Sequence, residues 1–95
     1  MASTKEYLTY VLDLLREVKG ISYKKMMGEY ILYKDEINFG GVYDDRFLIK
    51  KTKTGTELGL IEQIPYPGAK PMLLVDSENA DEIKDLVNKV CAELK

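Results

Sequence analysis

Between Tyr23 and Lys51 the chain sets strand-like runs almost end to end, with two residues or fewer between them. Tyr23–Met27 ends at Gly28. Glu29–Lys34 follows, then Asp35-Glu36, then Ile37–Tyr43, then Asp44-Asp45, then Arg46–Lys51. A parallel connection needs a crossover of about a dozen residues or more, so loops this short leave only antiparallel neighbours. Residues 23–51 are therefore predicted to form an antiparallel meander. Gly28 reads either as a turn or as a bulge inside one long bent strand.

Two-residue loops pair Leu32 with Phe39 and Val42 with Phe47. Followed through the pleat, this register puts Leu32, Phe39 and Leu48 on one face. Ile31, Tyr33, Val42, Phe47 and Ile49 fall on the other. Large apolar groups thus appear on both faces. Either a bulge shifts the register, or something covers the second face, such as another copy of the chain. Gly40-Gly41 inside a strand points the same way, to a bulge or a tightly packed neighbour.

The flanks change period. Ser3-Thr4-Lys5-Glu6 reads as a capping box. Leu8, Val11, Leu12, Leu15 and Val18 recur at helical spacing, and Gly20 supplies a left-handed stop. A helix is expected over about residues 3–19. After the meander Thr52–Thr56 is polar, and Glu57–Gln63 is read as a short helix in preference to a strand. Ile64–Pro71 holds all three prolines of the chain and forms a stiff connector. Met72–Val75 is a short strand. Asn79 or Ser77 caps a closing helix whose apolar face is Ala80, Ile83, Leu86, Val87, Val90, Cys91 and Leu94. The order gives one α+β domain over residues 1–95, a two-layer sandwich with a mostly antiparallel sheet.

Composition excludes several kinds of chemistry. With 95 residues, 45% of them apolar, the chain can build a single core. It has no histidine and one cysteine, Cys91. Cys/His zinc sites and the commonest general base are therefore missing, and no internal disulfide can form. The net charge of −2 argues against a nucleic-acid partner, because phosphate contacts supply most of such affinity. No apolar run approaches the roughly 18–20 residues of a membrane span. Met1–Glu6 is polar and lacks a secretory pattern. The expected setting is cytoplasmic, without membrane contact.

The remaining candidates have plain structural alternatives. Asp44-Asp45, with Asp35-Glu36 elsewhere, could bind a metal or work as acid and base, but adjacent acids in a hairpin turn usually hydrogen-bond nearby backbone. Lys24, Lys25, Lys50, Lys51 and Lys53, near several tyrosines, could face phosphates and bases; lysines also guard exposed strand edges. Cys91 lies on an apolar stripe, where a buried inert thiol is expected. Gly28 and Gly40-Gly41 lack the spacing of a phosphate loop. Tyr30, Tyr33, Gly40, Gly41 and Tyr43 are the candidate interface residues, tyrosine being enriched at interfaces. No catalytic residue, metal ligand or cofactor site emerges.

Met26-Met27-Gly28, Tyr30, Leu32-Tyr33, Asp35, Phe39 and Asp44-Asp45-Arg46-Phe47-Leu48-Ile49-Lys50 occur in the order of a known pattern. Together with Tyr66-Pro67, they resemble the N-terminal domain of the TfoX/Sxy family. Met27 stands where that family has an aromatic residue, and Glu29 where it has a second glycine. The resemblance implies a sandwich like that of secretion chaperones, and a link to bacterial regulators of natural competence. It further implies that the chain is the N-terminal domain standing alone, since a separate C-terminal domain follows in those regulators. The function expected on this basis is a non-enzymatic regulatory or adaptor domain acting through protein contacts, with room for a homodimer. The alternatives are a nucleic-acid-binding accessory domain and a small-molecule-binding domain.

Overall fold

A computed structural model describes residues 3–95; the first two residues of the polar Met1–Glu6 stretch lie outside it. The element order is α1 (Lys5–Leu14), β1 (Ile21–Met26), β2 (Glu29–Lys34), β3 (Ile37–Val42), β4 (Phe47–Lys50), α2 (Lys53–Glu57), β5 (Glu62–Gln63), β6 (Met72–Leu74) and α3 (Ala80–Leu94). The six strands form one sheet in the order β1-β2-β3-β4-β6-β5. Every pairing in it is antiparallel. This is the expected α+β architecture.

The meander rests on three two-residue turns. Met27 and Gly28 have φ of 51° and 85°, Asp35 and Glu36 of 49° and 69°, Asp44 and Asp45 of 52° and 53°. Positive φ at both central residues marks type I′ turns, whose twist matches that of the flanking strands. Gly28 is therefore a turn residue and not a bulge.

The bulge lies in the next strand pair. The β2–β3 register shifts between Leu32 and Tyr33, so Leu32 opposes Gly40 while Tyr33 opposes Asn38. Phe39 becomes the extra residue, and the predicted Leu32–Phe39 pairing is wrong by one place. Beyond the shift Val42 pairs with Phe47 as expected. As a result Leu32, Phe39, Val42, Phe47, Ile49 and Leu73 share one face and join one core, while Leu48 is buried on the other. Gly40 permits this close strand approach, because a Cβ there would sit 2.2 Å from the Leu48 carbonyl oxygen.

Both long helices cover that face. From α1 come Leu8, Val11 and Leu14, and from α3 come Ile83, Val87, Val90 and Cys91. The first helix is shorter than predicted. Thr4, not Ser3, is its N-cap, accepting from the Tyr7 N–H at 3.1 Å. After Leu14 the backbone tightens to i→i−3 bonds, as in Val18 N–H to Leu15 O at 2.9 Å. Leu15 and Val18 still reach the core. At the other end Asn79 is the cap, accepting from Asp81 and Glu82. Ser77 instead donates to the Glu82 carboxylate at 2.9 Å.

The middle of the chain departs most from expectation. The short helix α2 occupies part of the stretch read as polar loop, and 57–63 runs from the end of α2 through a turn into β5. The proline connector is the loop joining β5 to β6.

Candidate functional site

Two of the turns and the N-terminal segment meet at one corner of the sheet. Ser3 occupies its centre. Its N–H donates to Gly28 O at 3.0 Å and to Glu29 Oε1 at 2.8 Å. Its hydroxyl donates to Val42 O at 3.2 Å and accepts from the Asp45 N–H at 3.1 Å. Glu29 Oε2 takes the Asp44 N–H at 2.8 Å. Asp45 Oδ1 takes the Thr4 N–H at 2.8 Å and the Thr4 hydroxyl at 3.2 Å. Glu29 and Asp45 are thus occupied with backbone donors. Acidic side chains in this setting lock two hairpin tips to the start of α1; they do not form an acid–base pair.

Arg46 completes the corner. Nε donates to Tyr43 O at 3.2 Å, and Nη1 donates to Gln63 Oε1 at 2.7 Å. Nη2 reaches Ile64 O and Pro65 O, each at 3.2 Å. The planar fork of a guanidinium suits such a clamp, which pins the β5–β6 loop against the β3–β4 hairpin. Met27, Glu29, Asp44, Arg46, Ile64 and Tyr66 line an open groove of about 640 Å³ beside it. Met27 is 97% exposed at its rim, and Ile64 and Tyr66 are also exposed.

The structure separates most of the residues singled out from sequence. Lys24 and Lys25 lie on the edge strand β1, and Lys50 on β4. These strands are three spacings apart, roughly 14 Å. Lys51 pairs with Glu62 at 3.3 Å, and Lys53 opens α2. The five lysines do not make one surface.

The candidate interface residues divide too. Tyr30 is buried in the core. Gly40 and Gly41 are buried, and so is Tyr43. A Cβ on Gly41 would lie 2.8 Å from the Tyr43 ring, so the side chain packed on Gly41 is the domain's own tyrosine, while Gly40 faces the β4 backbone. Only Tyr33 remains half-exposed.

Cys91 is buried, and burial pushes its thiol pKa up, which suits an inert core residue. Among the described residues no group of three or more His, Cys, Asp or Glu side chains could hold a metal ion. No helix among them is long and apolar enough to cross a membrane. The roles of Ser3 and Arg46 were not legible in sequence, since their partners lie up to 42 residues away.

No protein-family model matches the chain. A curated protein does: the uncharacterized 12.7 kDa protein in the trpE 5′ region of Spirochaeta aurantia, 36% identical over 98 residues. The match covers 99% of this chain and 85% of the relative. The chain belongs to that protein's family. The match runs the length of the α+β domain and is not confined to an isolated motif.

Proposed function

We propose that this domain is a non-enzymatic regulatory or adaptor module of the cytoplasm, acting by protein contact as the TfoX/Sxy resemblance implies. Its first partner is a second copy of itself. The observation that carries this reading is the corner groove. A methionine stands almost fully in solvent beside Ile64 and Tyr66, on a frame fixed by the Ser3, Glu29, Asp45 and Arg46 hydrogen bonds. A rigid frame spares the backbone ordering cost of docking and leaves only side-chain rotamers to be fixed. The groove also presents both signs of charge, from Asp44 and Arg46. A two-fold axis passing between Asp44 and Arg46 would set each against its opposite, because an isologous contact pairs the same patch with itself.

Sedimentation velocity over a concentration series, up to the order of millimolar, tests this. The expected result is a reversible monomer–dimer equilibrium that Met27→Glu abolishes. Met27 makes the change safe for the fold, because a side chain so exposed contributes little to it. A protein that stays monomeric throughout, or a dimer indifferent to Met27→Glu, overturns the reading.

A further inference from the structure

The sheet face away from the helices carries a second groove of about 410 Å³, between β3, β4 and the β5–β6 loop. Asn38, Lys50, Lys51, Tyr66, Lys70 and Met72 account for its chemistry. The register places Asn38 opposite Tyr33 and Lys50 opposite Met72.

Three observations converge there. First, Asn38 Oδ1 is buried without a hydrogen-bond partner. Buried acceptors are nearly always paired, so this residue of the groove lining is polar and incompletely satisfied. Second, three lysines line the groove and no acidic residue does. Lys51 is shared with Glu62 at 3.3 Å, while Lys50 and Lys70 have no ion pair among the described residues. The groove therefore favours an anion. Third, the Tyr66 ring is 57% exposed and is backed by the Tyr43 ring at 6.1 Å. That is a flat apolar platform at the edge of a basic cleft.

We propose that this groove binds a phosphorylated planar base of the nucleotide class, for which ADP serves as the probe. Lysines act as point charges for phosphate oxygens. Tyr66 supplies a stacking surface for the base. With its oxygen buried, Asn38 can turn only its amide N–H to the groove, where it donates to a ring nitrogen of the base. A free phosphate would satisfy the lysines and leave Asn38 and Tyr66 without a role. A long nucleic acid is disfavoured, because Lys24 and Lys25 lie away from the groove on β1. The volume falls within the roughly 300–1,000 Å³ of small-molecule sites.

The test is isothermal titration of the dilute full chain at low salt with ADP, adenosine and inorganic phosphate. Dilution keeps the outcome separate from any self-association at the corner. ADP is expected to bind more tightly than adenosine or inorganic phosphate, with an affinity that falls as salt rises. Tyr66→Ala weakens ADP by about tenfold, the change that loss of one base–aromatic stack brings. Asn38→Asp, which removes the donor and adds a like charge, abolishes ADP binding. The double change Lys50→Gln and Lys70→Gln lies on exposed side chains, leaves the far-UV spectrum intact and sharply reduces the salt dependence, with Lys51 still in place. No binding of ADP at millimolar concentration overturns the proposal. So does equal binding of phosphate and ADP that ignores Tyr66→Ala, which would mean an adventitious ion only.

Discussion

One face of the sheet is closed by side chains from α1 and α3, whereas Tyr43 and the β5–β6 loop roof part of the other. On the covered face Phe39, Val42, Phe47 and Ile49 are at most 1% exposed. The side chains there belong to one buried apolar cluster. On the uncovered face Leu48 is equally buried, yet beside it lie an unpaired amide oxygen and a lysine-lined groove. The first face sets stability. The second leaves polar groups incompletely satisfied, as residues shaped for a ligand commonly are.

The largest expected effect separates the faces directly. Phe39→Ala should cost about 3–5 kcal/mol, because it removes a buried ring and leaves a closed cavity between sheet and helices. Tyr43→Ala on the other face should cost roughly half as much, about 2 kcal/mol. Its space opens to water, so only the transfer free energy of the ring is lost. Urea denaturation of both proteins measures the difference. Equal costs would mean that the second face is as closed as the first.

How far the sequence showed this contrast depends on the element. The turns at Asp35-Glu36 and Asp44-Asp45 were legible, because two-residue spacing between apolar runs allows little else, whereas Gly28 alone left a turn and a bulge both open. The closing helix was legible down to its buried positions, since its stripe and cap are local signals. The bulge at Phe39 was not: nothing within Asn38-Phe39-Gly40-Gly41 says which residue is the extra one. Its trace was indirect, in the paired glycines and the apolar groups that a regular register scattered over both faces. The helix α2 escaped notice because Lys53-Thr54-Gly55-Thr56-Glu57 has poor helix propensity. Tertiary contacts hold it instead: Thr54 N–H donates to Glu93 at 3.1 Å, and a Cβ on Gly55 would lie 2.4 Å from Leu73. The nucleotide groove joins Asn38, Lys50, Tyr66 and Lys70, which no spacing rule connects. Ser3 and Thr4 are both good caps by type, and only the reach of Ser3 to Val42 and Asp45 decides between them.

A smaller effect tests whether the roof depends on a missing side chain. A Cβ at Gly41 would come within 2.5 Å of the Tyr30 carbonyl oxygen and 2.8 Å of the Tyr43 ring. Gly41→Ala should therefore cost about 1–3 kcal/mol through overpacking. Part of that cost should vanish in a Tyr43→Ala background, giving a non-additive double-mutant cycle. Strict additivity would show that Tyr43 does not depend on the glycine.

Alkaline unfolding sharpens the contrast by chemistry. Burial is the first cause that raises the pKa of the Cys91 thiol on the covered side and of the Tyr43 phenol on the other. Both groups are neutral when protonated, and folding favours that form. Their contribution is complete below the unfolded-state pKa values, 9.0 for the thiol and 10.0 for the phenol, and is lost as pH rises through the folded ones. Stability should thus start to fall above about pH 9, with the onset set by Cys91. In Cys91→Ala the first part of that decline should disappear and the tyrosine part remain. Melting temperatures across pH 8–11 give the comparison, and an unchanged onset in Cys91→Ala would assign the decline elsewhere.

The smallest effect belongs to Tyr66. Its ring meets Tyr43 at 6.1 Å and 48° but is more than half exposed. An aromatic pair in such a position contributes about 0.5–1.5 kcal/mol beyond its buried area, towards the low end where water reaches the ring. The loop carrying it is held independently by the Arg46 bonds to Ile64 and Pro65. Tyr66→Ala should therefore lower stability by no more than about 1 kcal/mol, while the same substitution weakens ADP binding about tenfold. That divergence is what a residue retained for a ligand looks like. A large stability loss in Tyr66→Ala with no change in ADP binding would instead make Tyr66 part of the roof, and the two faces would differ only in how much of each is covered.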